Sequence, residues 1–223
     1  MALPPEDRIP YAFASEHERR QFDFFRALNH PHFGLCARAR VDALRAFAKT
    51  SGFGFHLCAV HALSVAANAV PGLRRRIRGE AAVEHRVVHP SFTAASRVGG
   101  GFSFCEVGFR LDVAGFAEAG RAAVERVGEE PTLDDAEGRD DYLFLSAIPW
   151  VDFTGIQHAM QYHPHDSVPR ISWGKVVPAA RGGEEMAVSI QAHHALVDGA
   201  ALGLFYAELN RYVASLSTLD QNE

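Results

Sequence analysis

A chain of 223 residues, 48% apolar and 22% charged, has the balance of a soluble globular protein of one large domain, and this excludes a disordered sequence. A net charge of −5 argues against a nucleic-acid coat, and no stretch approaches the ~18 apolar residues of a membrane span. Cys36, Cys58 and Cys105 lie in apolar stretches without metal spacing and residues 1–10 lack a signal-peptide core, so the chain reads as cytoplasmic with buried free thiols.

Residues 1–14 read as a flexible tail. Phe22, Phe25 and Leu28 share one face of a helix over 18–28. Residues 33–41 look extended, and Asp42 is placed to cap a short helix running to Lys49. The segment 55–70 is apolar on nearly every side (Leu57, Val60, Leu63, Val65), as in a buried helix, and Pro71-Gly72 closes it. The basic run Arg74, Arg75, Arg76 and Arg78 reads as a solvated helix face, with phosphate contacts as the functional alternative.

Strand-like pieces follow at 81–88, 91–98 and 102–109. Gly99, Gly100 and Gly101 lack the context of a phosphate-binding loop and read as a loop or bulge. A helix over 113–127 leads into 128–141, where seven acids stand against one base around Pro131 and Gly138, the pattern of a solvated surface loop. Strands at 142–147, 171–177 and 186–193 and a helix over 199–216 complete a mixed α/β arrangement, too irregular for a βαβ repeat. Residues 217–223 read as a second flexible tail.

Chemistry concentrates in the last of these strands. Met186, Val188, Ile190 and Ala192 alternate with Ala187, Ser189, Gln191 and His193, and His194 continues the apolar row at the strand's end. Four residues on, Asp198 stands where an N-cap belongs, and Gly199 permits a turn closed to other residues. Leu202, Phe205, Leu209, Tyr212 and Leu216 then recur at helical spacing. A lone histidine here would be a satisfied core residue; a histidine pair with a capping aspartate and a turn glycine points toward function.

The string QAHHALVDG at 191–199 resembles the active-site segment of the trimeric (type A) chloramphenicol acetyltransferase family, where HHxxxDG joins a strand to the last helix. The HxxxDG core alone is shared with dihydrolipoamide acyltransferases and peptide-synthetase condensation domains. Four more segments, in order and at similar spacings, narrow the resemblance: LRRRIR at 73–78, HPSFT at 89–93 with Phe102-Ser103, LSAIPWVDFT at 145–154, and SWGK at 172–175. It spans about 19–212 and identifies the sequence as a divergent member.

The resemblance implies an α/β fold, one domain over 1–223, with a two-layer mixed sheet and helices. It implies transfer of an acetyl group from acetyl-CoA, a co-substrate rather than a permanent cofactor, to a hydroxyl of a small acceptor. His194 would be the general base, a task suited to an imidazole whose ordinary pKa of ~6.5 leaves it basic yet mostly neutral near pH 7. Ser146 would stabilise the oxyanion, supported by a water held on Ser172, and Asp198 would brace the histidine turn. Trp150, Lys175 and His56 are the coenzyme-binding candidates; Phe24, Phe25, Ser91 and Phe144 are the acceptor-binding ones. The family's site forms between subunits of a homotrimer, and neither nucleic acid nor membrane is an expected partner.

Several positions depart from the family. Glu18 stands where its aspartate-bracing arginine would be, with Arg19 one place later; Ala200 and Ala201 follow the glycine; Phe25 replaces a tyrosine of the chloramphenicol pocket; His56 and Val176 replace aromatic residues near the adenine. An enzyme with another acceptor, or a trimeric small-molecule binding protein that has lost turnover, would both account for these changes. The pairs His30/His32 and His163/His165, each interrupted by proline, are read as lacking a metal.

Overall fold

The computed structural model describes residues 3–134, 138–161 and 166–219. In chain order the elements are β1 (Arg8–Pro10), α1 (Glu16–Arg26), β2 (His32–Arg40), α2 (Asp42–Thr50), α3 (Phe55–Asn68), a 3₁₀ turn (Pro71–Arg74), β3 (Arg75–Arg78), β4 (Ala81–His85), β5 (His89–Ala95), β6 (Phe102–Glu106), α4 (Val113–Glu129), β7 (Tyr142–Ile148), β8 (Arg170–Pro178), β9 (Glu184–His193) and α5 (Gly199–Leu219). Six strands form a mixed sheet in the order β2-β9-β8-β7-β5-β6, and β1-β4-β3 form a small antiparallel one. Within the large sheet β5, β7 and β8 run parallel, while β2, β9 and β6 pair antiparallel with their neighbours.

The core follows from strand alternation. Phe92, Leu145, Ile171 and Ile190 are consecutive register partners across four strands, and all four are buried. They pack in one cluster with Leu63 of α3, Phe116 of α4 and Leu202, Phe205 and Leu209 of α5. Helix α3 is buried along most of its length, as its all-round apolar sequence predicts.

Side-chain caps open two of the helices. Ser15 caps α1 by accepting from the Glu18 N–H at 3.1 Å, and Asp112 caps α4 by accepting from Ala114 and Gly115. Asp42 does not cap α2. That helix starts after Val41 without a side-chain cap, and the Asp42 carboxylate instead accepts from the Glu184 N–H at 2.7 Å, tying α2 to β9. Residues 8–10, expected in a tail, pair with β4.

The basic run departs most from expectation. It forms the 3₁₀ turn and β3, not a solvated helix. Arg74 and Arg75 pair with Glu84, and Arg78 with Asp140. Arg76 is fully buried and donates to four backbone carbonyls, those of Asp140 (2.6 Å), Leu73 (3.0 Å), Arg75 (2.6 Å) and Tyr142 (2.5 Å). The acidic segment 128–141 is likewise not wholly solvated. Asp141 is buried against Arg139, and Asp140 holds Arg78 and His85, its Oδ1 lying 2.9 Å from His85 Nε2. Charges with such fixed partners fit inside the fold, whereas a composition count reads them only as polar. Asp135 and Glu137 of that segment lie outside the described residues.

Replacing Arg76 by methionine leaves four carbonyls without their donor, and urea unfolding should show a loss of about 3–5 kcal/mol. Burial alone would raise the Asp140 carboxyl, but the His85 hydrogen bond and the Arg78 and Arg76 charges outweigh it and hold it below the usual carboxylate range. Its stabilisation is therefore complete above the unfolded value of ~3.9 and is lost as pH falls through the lower folded value. Asp140→Asn should flatten the decline of stability below about pH 4 in acid titrations followed by circular dichroism.

Candidate active site

One residue along each strand from the apolar row lies its opposite. Ser146 pairs with Ser172, Ser172 with Ser189, and Ser189 with Cys36. Thr93 of β5 adjoins Ser146, their hydroxyl oxygens 3.3 Å apart. Because side chains alternate across a strand, this hydroxyl row faces away from the helices.

At one end of the sheet, β9 finishes at His193, paired with His32, and the His194 N–H donates to the Pro31 carbonyl at 2.8 Å. The His194 ring lies between Phe25 and Phe33, its centroid 4.0 and 4.3 Å from theirs, both stacked. Its Nδ1 is 3.0 Å from the Val197 carbonyl oxygen. A carbonyl only accepts, so Nδ1 carries the proton and the neutral ring keeps a lone pair on Nε2. The ring borders a groove of about 330 Å³ shared with Phe25, Glu18, Arg75 and Asp198. Gly72 lets the 3₁₀ turn approach the histidine turn, since a Cβ there would stand 3.0 Å from the Leu196 carbonyl oxygen. Asp198 is exposed and caps α5, accepting from the Ala201 N–H at 2.8 Å. Gly199 does not adopt the left-handed conformation expected of it, and a Cβ there would meet open space, because the turn closes through Asp198 instead.

Ser146 borders a different cavity, of about 650 Å³, walled by Ser91, Phe102, Phe104, Phe144, His158 and Arg170. Arg170 lies over the Phe144 ring at 5.1 Å and pairs with Asp166 at 2.5 Å. Ser172 is fully buried, and its Oγ is 2.8 Å from His158 Nε2. The other ring nitrogen of His158 is 3.0 Å from Gln191 Oε1, which also accepts from the His158 backbone N–H at 3.2 Å. Burial holds the His158 imidazole below its ordinary range and the Arg170 charge adds to that, against the opposing Gln191 hydrogen bond. His158 was not legible in the sequence, since it sits in an irregular segment whose lack of periodicity gives no cue to burial.

Of the anticipated residues, Phe25 joins His194, while Ser91 and Phe144 join Ser146. His194 and Ser146 themselves border separate cavities within one chain. Phe24 is exposed, edge-on to Phe25. Trp150 is 81% exposed, and Lys175 is exposed beside it, its N–H donating to the Val151 carbonyl at 3.0 Å where β8 bulges at Gly174. A Cβ on Gly174 would lie 2.9 Å from that carbonyl oxygen, so glycine admits the 149–151 segment. His56 sits against Phe92 and Trp173, each at 5.3 Å, beside Arg97 and Arg121 in a third cavity of about 550 Å³, and burial lowers its imidazole. Arg19 is engaged by Asp23 at 2.8 Å rather than by Asp198. His32 Nε2 is held by the Asp166 carbonyl at 2.5 Å, and His163 and His165 lie outside the described residues. Among the described residues Glu6, His85 and Asp140 have metal-ligand spacing, but Arg78 already pairs with both carboxylates.

The profile of the family described as "Chloramphenicol acetyltransferase" matches residues 12–210. A chloramphenicol acetyltransferase of Klebsiella sp is 24% identical over 197 residues, covering 88% of this chain and 89% of the relative. Chloramphenicol acetyltransferase 3 of Escherichia coli is 23% identical over 194 residues, 86% of this chain and 90% of the relative. Among solved structures, a chloramphenicol acetyltransferase superposes with a TM-score of 0.82 at 22% identity, covering 92% of this chain and 99% of that one. A probable dihydrolipoamide acetyltransferase from Listeria monocytogenes gives 0.65 at 15% identity, with 94% of each chain covered.

Replacing Asp198 by alanine removes the cap at the histidine turn, and chemical denaturation should show about 1 kcal/mol lost.

Proposed function

This chain belongs to the chloramphenicol acetyltransferase family and is an acyltransferase, and from that premise we propose how it carries out the transfer. His194 Nε2 takes the proton of an acceptor hydroxyl as the oxygen attacks the thioester carbonyl carbon of acetyl-CoA. The C–S bond of the resulting tetrahedral adduct then breaks, and the proton on His194 passes to the departing sulfur. The observation that carries this reading is the anchored ring: stacked between Phe25 and Phe33 and tied through Nδ1 to the Val197 carbonyl, it offers Nε2 in a fixed direction at the edge of a groove. The Ser146 hydroxyl, beside Thr93 on the cavity wall, is the donor we assign to the oxyanion.

His194 and Ser146 border different cavities of one chain, so the complete site in this reading needs a second copy. A homotrimer that sets the His194 end of one subunit against the hydroxyl face of the next supplies both. The exposed Trp150 and Lys175 and the cavity beside His56 are the surfaces proposed for coenzyme A. Phe24, Phe25, Ser91 and Phe144 would line the space for a small, largely apolar acceptor, in a cytoplasmic enzyme. Chloramphenicol, named by the relatives, is the first acceptor to try, with antibiotic resistance as the corresponding role. No helix among the described residues is long and apolar enough to cross a membrane.

Incubation with acetyl-CoA and chloramphenicol or another small alcohol should release free thiol, read with a chromogenic disulfide. His194→Ala should lower kcat by about 10²–10⁴-fold and Ser146→Ala by about 10²–10³-fold. Light scattering should give three times the chain mass. Unchanged turnover in His194→Ala, or an active monomer, would overturn the proposal.

A further inference from the structure

The Ser172 hydroxyl does not reach the acceptor cavity directly. Ser172 is fully buried, and the wall in front of it is the His158 ring. The direction of the hydrogen bond at His158 Nδ1 follows from a single group. Gln191 Oε1 accepts from the His158 backbone N–H, which identifies that atom as the amide oxygen and not the amide nitrogen. An oxygen that can only accept requires a proton on His158 Nδ1. In the neutral ring Nε2 is then bare and accepts from the Ser172 O–H. Both nitrogens are engaged, so the ring can neither flip nor rotate without breaking a hydrogen bond in a desolvated site.

On the reading of acyl transfer given above, we infer that His158 is a specificity-determining residue of the acceptor cavity, and that Ser172 and Gln191 serve the site by fixing the orientation of its ring as a wall beside Ser146. The segment carrying His158 has no regular backbone hydrogen bonding of its own, so these side-chain bonds to β8 and β9 are what anchor it. Phe102, Phe104 and Phe144 line the same cavity, so a flat neutral acceptor would meet aromatic faces as well as the imidazole. Ser172 then acts through His158, as a positioning residue, in place of holding the oxyanion's water as the family resemblance implied.

Steady-state kinetics separates these roles. His158→Ala and Ser172→Ala should each raise KM for the acceptor about tenfold, the worth of one hydrogen bond or one cavity contact, with KM for acetyl-CoA within about twofold. The double variant should be no worse than His158→Ala alone, because Ser172 has no other route to the site. Ser172→Thr, which keeps the hydroxyl, should stay near wild type. Additive losses, or a fall in kcat with acceptor KM unchanged in Ser172→Ala, would overturn the inference. A second readout needs no turnover: long-range proton–nitrogen NMR of the His158 ring should place the proton on Nδ1, and Ser172→Ala should weaken that preference. A proton on Nε2 in the wild-type protein would equally overturn it. Absence of thiol release by the wild-type protein with every acceptor would count against acyl transfer itself, and the NMR result would still decide the ring.

Discussion

The six-strand register is the constraint from which both core and candidate site descend. Phe92, Leu145, Ile171 and Ile190 make an apolar row toward the helices, and one residue further along lies the row Thr93, Ser146, Ser172, Ser189 and Cys36. A slip of one residue in any of these strands would exchange the two rows locally, turning a hydroxyl toward the helices and a large apolar side chain away from them. The register that gives the best core is thus the same one that aligns the hydroxyls.

The ends of this sheet are fixed by polar groups in fixed directions. At the β9 end the backbone of His194 hangs on Pro31 and its ring on Val197, with two phenylalanine faces excluding other orientations. At the small sheet Arg76 joins the 3₁₀ turn to the strand start at Tyr142 through four carbonyls, and Asp140 gathers Arg78 and His85 beside it. Inside a low-dielectric region such directed contacts leave few alternative arrangements, so the groups they hold keep one orientation.

The comparisons and the geometry agree at the level of family and fold, and the cavity beside Ser146 is the one proposed for the acceptor. Its wall combines three phenylalanines with His158 and an Arg170–Asp166 pair. The pair leaves that part of the wall without net charge, and burial pushes the His158 imidazole below its ordinary range. Trp150, exposed, and the bulge at Gly174 do not line this cavity.

Much of this was legible from residues alone. Alternation over 186–193, the apolar run at 55–68 and the helical spacing after Gly199 gave strands and helices in nearly the right places, because local periodicity reports which side is buried. The DG step after the histidine pair marked a helix start, and Asp198 caps α5 as its side chain allows. Tertiary structure decided what depends on partners distant in the chain. Asp42 binds the Glu184 backbone instead of capping its own helix, Arg76 turns inward because four carbonyls converge on it, and His158 is fixed only because Ser172 and Gln191 arrive on neighbouring strands. A sequence specifies which groups can donate, accept or pack; which of them meet is set by the register and closure of the chain.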